Sequence, residues 1–182
     1  MKNYRLSLPF LGLLLALSPL RAQEAAVQQE TSEQKDKRME WFSQAKLGIF
    51  IHWGIYSVRG VTESWSFYNN YLSYDEYMSQ LDGFTAKSYN PAEWAKLIKE
   101  SGAKYTVITS KHHDGFCMYD SKFTDFKITN PELPYSKNAK ADVLKDVLDA
   151  SRKEGLAVGV YFSKPDWTTE TFWWPYYPPK DR

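Results

Sequence analysis

Each of the three histidines in this 182-residue chain follows an apolar run of β-forming residues. His52 closes the run Leu47-Gly-Ile-Phe-Ile51 and opens His52-Trp53-Gly54. His112 and His113 sit in Thr109-Ser-Lys-His-His-Asp-Gly-Phe116, directly after Tyr105-Thr-Val-Ile-Thr109. Imidazoles at strand tips can serve three chemistries. The first is metal binding. Position 54 is glycine where a His-x-His pair would need its second ligand, and adjacent residues on an extended strand point to opposite faces. His112 and His113 could therefore share one ion only where the chain bends after Lys111. The second is activation of a nucleophile. The sequence holds no Gly-x-Ser-x-Gly elbow, and the single cysteine, Cys117, follows His113 by four residues with no visible orienting partner. The third is recognition of hydroxyls. A neutral imidazole carries one donor and one acceptor, which suits neighbouring hydroxyls on a sugar. Trp53 and Trp65 can supply stacking faces, and Tyr161 a phenol at the tip of a third strand. Structural roles stand beside these: Trp53 as core, and Asp114 as the cap of the turn that starts at Gly115.

The elements that must position these side chains follow a β-α-β-α-β order. Strands are expected over Leu47–His52, Lys104–Ser110 and Leu156–Phe162. A long aromatic connection after the first strand holds a short helix near Tyr74–Gln80. A helix over 91–101 starts at an Asn90-Pro91-x-Glu93 signal, carries Trp94, Leu97 and Ile98 on one face, and stops at Gly102. A second helix, 141–154, carries Val143, Leu144, Val147 and Leu148 as its apolar stripe and ends at Gly155. Apolar strands separated by amphipathic helices indicate a parallel sheet covered on its outer face. The fold class expected is α/β, the N-terminal portion (about three β/α units) of a (β/α)8-like TIM barrel. The C-terminal edge of such a sheet is where sites are built. A complete barrel needs about 250 residues, so the sequence reads as one cut in the loop after strand three, which holds the aromatics Trp173–Tyr177.

A net charge of +1 leaves no basic footprint for nucleic acid. One cysteine excludes an internal disulfide framework. The 16% aromatic content is either core and loop packing or a surface for stacking on sugar rings. Lys2 and Arg5 followed by the short apolar segment Pro9–Leu20 read as an export signal over 1–22, cleaved after Ala22. About 12 apolar residues are too few for a bilayer span, which takes about 20. Residues 23–38 read as a flexible polar leader and 39–182 as the partial barrel domain, truncated after strand three, in the periplasm or outside the cell.

The segments Lys46–Gly54, Ser110–Phe116 and Gly159-Val-Tyr-Phe-Ser163 with Asp166-Trp167 together resemble the α-L-fucosidases of glycoside hydrolase family 29, over about Met39 to Trp167. The resemblance implies a retaining exo-glycosidase acting on terminal α-linked L-fucose of glycans, with a barrel-like catalytic domain followed by a β-sandwich. It implies no cofactor and no metal. His52, His112 and His113 then correspond to ligands of the fucose hydroxyls, Trp65 to the tryptophan lining the sugar pocket, and Tyr161 to a pocket tyrosine. The family's Glu-Trp-Tyr segment is matched only by Glu63-Ser-Trp-Ser66. Ser64 interrupts it and leaves Glu63 a weak acid/base candidate. The nucleophilic aspartate is expected at the end of a fourth strand, beyond Arg182, and neither Asp114 nor Asp166 is assigned that role. A non-catalytic fucose-binding module is the alternative from a different class, and a scaffold protein using the Trp173–Tyr177 aromatics is the third.

Overall fold

The computed structural model describes residues 30–168. The expected signal segment and the aromatics Trp173–Tyr177 lie outside them. Contacts divide the chain into two units, Met1–Arg38 and Met39–Arg182. In the first, Arg38 donates to the Glu30 carboxylate from Nε and Nη2, at 2.7 and 2.8 Å. From Ser32 the expected leader is helical, since α1 spans Ser32–Ala45. The described part of that leader is also largely exposed, which leaves it little to bury.

In the second unit three strands, β1 (Gly48–Ile51), β2 (Tyr105–Lys111) and β3 (Ala157–Phe162), form a parallel sheet in the order β1-β2-β3. Their bounds differ from the sequence reading by a residue at most ends, and His52 and His112 each fall just past the last paired residue. Parallel strands need long crossovers, and these are built around the two main helices, α4 (Pro91–Glu100) and α5 (Val143–Lys153), which pack together. Two shorter helices, α2 (Trp65–Tyr68) and α3 (Tyr74–Met78), occupy the connection after β1. The α3 start is fixed by a reciprocal capping box, Ser73 with Glu76. The sequence reading placed α3 near this position and did not anticipate α2.

The α4 N-cap is Asn90, whose side chain accepts from the Glu93 amide at 3.3 Å. Its buried stripe is Pro91, Ala95 and Ile98. Leu97, expected on that face, is instead 57% exposed. The stripe is rotated because Trp94 turns toward Trp53 and Tyr89, with ring centroids 5.3 Å from each, while the small Ala95 lets the helix approach its neighbours. In α5 the stripe is as expected, with Val143 and Val147 buried and Leu144 and Leu148 packed beside them. The helix starts at Val143 rather than 141 because Asp142 caps it, accepting from the Lys145 amide at 3.0 Å.

The core lies between sheet and helices, with Ile108, Val143 and Val147 in one cluster and Ile98, Ala103 and Leu156 in another, packed by Ile49 and Ile51. Phe50 alternates with those two isoleucines, so it points to the opposite face, where it is 50% exposed. Among the described residues no helix is long and apolar enough to cross a membrane.

Candidate active site

Because β1 and β2 are parallel neighbours, their C-terminal ends lie side by side, and the three histidines meet there. The His52 and His112 ring centroids are 5.0 Å apart, and those of His112 and His113 4.7 Å apart. Strand geometry alone would send His112 and His113 to opposite faces. The chain bends instead. The β2–β3 register is irregular between Thr109 and Lys111, and the Gly115 amide donates back to the His112 carbonyl at 3.1 Å. Gly115 has φ of +79°, and a Cβ there would stand 2.8 Å from Asp166 Oδ2, so both the turn and its neighbour require glycine.

Each ring is held by its own partner. His52 Nδ1 lies 2.9 Å from the Tyr56 hydroxyl and 3.7 Å from Glu63 Oε1. His112 Nδ1 lies 2.5 Å from Ser64 Oγ, and that oxygen also accepts the Asp114 amide at 3.1 Å. His113 donates from Nδ1 to the Pro165 carbonyl at 3.3 Å. Burial, with the nearby charges of His113, His52 and Lys111, pushes His112 down to about 3, so the ring is neutral at ordinary pH. His113 is also lowered, first by burial, with the Pro165 bond partly opposing.

The aromatic walls come from separate segments. Tyr161 lies over His112, with centroids 5.9 Å apart and 28° between planes, and 6.1 Å from His52. Trp65 stands edge-on to His113 at 5.9 Å. Trp53 is not part of this group. It packs against Phe84, Tyr89 and Trp94 and donates from Nε1 to Ser57 Oγ, which is a core role.

Three carboxylates lie nearby, and two are engaged. Asp114 is 1% exposed. It accepts the Tyr77 hydroxyl at 2.6 Å and the Phe116 amide at 3.0 Å, which is the turn-capping role open to it from sequence. Burial raises Asp114 to about 6 despite those two bonds. Asp166 pairs with Lys111 Nζ at 3.5 Å and accepts from the Thr168 amide and hydroxyl. Glu63 is the partly open one. It has φ of +37°, its carbonyl accepts from the Ser66 hydroxyl, and its carboxylate faces His52. A non-glycine residue in that conformation stores about 1–3 kcal/mol, often at functional sites. Cys117 is buried, and burial raises its thiol, so nothing there suits a nucleophile. Among the described residues no group of three His, Cys, Asp or Glu side chains is arranged to hold a metal ion.

Sequence reasoning missed Tyr56, Ser64 and Trp167 as parts of this constellation. Trp167 stacks on His113 at 4.3 Å and 19°, meets Trp65 at 4.7 Å, and donates its backbone amide to the His113 carbonyl at 2.7 Å. Ser64 had a visible signal, since it interrupts an otherwise aromatic segment, but its contact with a residue 48 positions away did not.

A sequence model of the family described as alpha-L-fucosidase matches residues 14–182. The plasma alpha-L-fucosidase of Rattus norvegicus is 37% identical over 178 residues, covering 88% of this chain and 38% of that protein. Among solved structures, alpha-L-fucosidase isoenzyme 1 from Paenibacillus thiaminolyticus is 36% identical with a TM-score of 0.66, over 76% of this chain and 31% of that one. A trapped covalent intermediate of a GH29 alpha-L-fucosidase from Bacteroides thetaiotaomicron, in complex with 2-fluoro-fucosyl fluoride, is 34% identical with a TM-score of 0.63, over 73% and 31% of the respective chains. The chain thus spans about a third of the length of these relatives.

Proposed function

Because this chain belongs to the α-L-fucosidase family of glycoside hydrolases, we propose that its histidine cluster grips the hydroxyls of a terminal α-L-fucose on a glycan. The observation that carries this reading is the meeting of His52, His112 and His113 at one sheet edge, walled by Trp65 and Tyr161. Neutral imidazoles exchange hydrogen bonds with hydroxyls without the desolvation cost of a charge. The aromatic faces cover the apolar side of the ring. The sheet corresponds to the first three strands of a (β/α)8 barrel, whose sites lie at the strands' C-terminal ends.

Cleavage with retention takes two carboxyl groups about 5–5.5 Å apart. One attacks the anomeric carbon as the glycosidic bond breaks, and the other protonates the departing oxygen. Water then releases the sugar from the covalent intermediate, with the second group acting as base. Support for retention comes from the covalent intermediate trapped in the Bacteroides relative. Glu63, beside His52, is the available acid/base. Asp114 is sealed by Tyr77 and Phe116, and Asp166 is tied to Lys111 and Thr168, so the attacking carboxylate comes from neither. That same locking favours a second reading, a fucose-binding module without catalysis.

The test is to incubate the purified 182-residue chain with an aryl α-L-fucoside and follow both binding and release of the aryl alcohol. Binding without turnover is expected. Turnover would assign Glu63 and one of the two aspartates to the reacting pair. Absence of binding would remove the fucoside reading itself. We also propose export, with a mature N-terminus at Gln23. Exported material still carrying Met1–Leu20, read by N-terminal sequencing, would count against that.

A further inference from the structure

We propose that His112 and His113 are locked as opposite tautomers, His112 with its proton on Nε2 and His113 with its proton on Nδ1. Two adjacent and chemically identical side chains then present one donor and one acceptor. The tautomers stand on hydrogen bonds alone, while their use on a sugar rests on the function proposed above.

The assignment starts at His113. Its Nδ1 faces the Pro165 carbonyl at 3.3 Å, and a carbonyl only accepts, so the proton sits on Nδ1 and Nε2 keeps a lone pair. At His112 the partner is a hydroxyl. Ser64 Oγ already accepts the Asp114 amide, so its own hydrogen needs an acceptor. Of the two neighbours able to take it, the Tyr77 phenol and His112 Nδ1, we assign it to the ring nitrogen, which stands 2.5 Å away. Nδ1 therefore holds the lone pair and the ring proton is on Nε2. Neither Nε2 has a hydrogen-bond partner among the described residues.

Both partners are built in rather than incidental. Ser64 is fully buried. Pro165 lies in the loop after β3, which meets the end of β2 at two points: Asp166 forms an ion pair with Lys111 at 3.5 Å, and the Trp167 amide donates to the His113 carbonyl at 2.7 Å. Lys111, buried at the end of β2, is thus a positioning residue acting through Asp166 and Pro165 on the His113 ring.

The complement of this pair is a short run of hydroxyls bonded to one another. Such a run accepts at one end and donates at the other, so His112 Nε2–H can feed it and His113 Nε2 can receive from it. Matching tautomers would leave one end of the run facing like against like. A lone carboxylate or ether, which only accepts, satisfies one ring and leaves the other unpaired, at the cost of a buried unmet group.

The test is imidazole nitrogen NMR of the full chain labelled with 15N-histidine, near neutral pH, where three residues give three resolvable patterns. The expected result is a protonated-type Nε2 for His112, a protonated-type Nδ1 for His113, and no averaging at either ring. The same tautomer at both rings, or averaged signals at either, would overturn the proposal. Ser64→Ala should bring His112 to averaging while His113 and His52 keep their signals, and Ser64→Thr should restore the His112 pattern. Asp166→Asn should loosen His113 alone. An unchanged His112 in Ser64→Ala counts against the lock. If Ser64→Ala does not fold, the wild-type spectrum and Ser64→Thr decide. Methyl α-L-fucopyranoside should then shift both Nε2 signals without exchanging the tautomers. Opposite tautomers that the sugar leaves unmoved support the lock and defeat the fucose reading. Like tautomers that the sugar does move defeat the lock and leave that reading standing.

Discussion

Asp114 and His112 sit close together in the site, and burial acts on them in opposite directions. Asp114 rises from an ordinary 3.8 to about 6, so between those values the folded chain holds a proton that the unfolded chain has released. Its contribution to stability is full below about pH 4 and is lost as pH rises through about 6. His112 falls from 6.5 to about 3, so there the unfolded chain binds the extra proton. Its contribution is present above about pH 6.5 and is lost as pH falls toward 3. Between about pH 4 and 6 the two slopes cancel. Asp114→Asn removes one of them, so the variant's stability should climb more steeply with pH in that window, by up to one proton, or about 1.4 kcal/mol per pH unit. Urea denaturation of both proteins at several pH values measures this, and parallel curves would contradict it. At this scale the sequence showed which groups could act, because three histidines at three strand tips are visible as a pattern. It did not show Ser64, Tyr56 or Trp167, whose roles depend on contacts across the fold.

Among the elements, α4 and β2 carry the clearest local instructions. Asn90→Ala removes the acceptor for the Glu93 amide, and should cost about 1 kcal/mol by chemical denaturation with no change in fucoside affinity, since α4 supplies no side chain to the histidine cluster. Gly115→Ala should behave differently. The left-handed turn alone costs about 1–2 kcal/mol for a residue with a Cβ, and that Cβ would press on the Asp166 carboxylate held by Lys111. Both stability and fucoside affinity should fall. A stability loss with unaltered affinity would show that the turn does not set the His113 ring. Element type and order were legible because caps, glycine stops and apolar periodicity are local. The α4 face was misread at Leu97, since Trp94 rotates the stripe toward Trp53 and Tyr89. The bend after Lys111 was legible only as a condition for the two rings to meet. The irregularity that produces it belongs to the pairing of β2 with β3.

At the scale of the whole molecule, the described strands form an open three-stranded sheet in a chain that spans about a third of its relatives' length. The parallel order follows from alternating strands and amphipathic helices, which the sequence displays directly. Which carboxylates react does not, because that depends on which acids the fold seals and which it leaves open. The central claim is that the His52–His112–His113 cluster recognises α-L-fucose, and equilibrium binding to two mirror-image ligands tests it most directly. Methyl α-L-fucopyranoside and its D enantiomer have identical polarity and area and differ only in handedness. Calorimetric titration should give saturable binding of the L sugar and at least tenfold weaker binding of the D sugar. His112→Ala or His113→Ala should weaken the L complex about tenfold, the equivalent of 1.4 kcal/mol and within the range of one or two lost hydrogen bonds. Equal affinity for the two enantiomers, or L-fucoside binding indifferent to both histidine substitutions, would contradict the account.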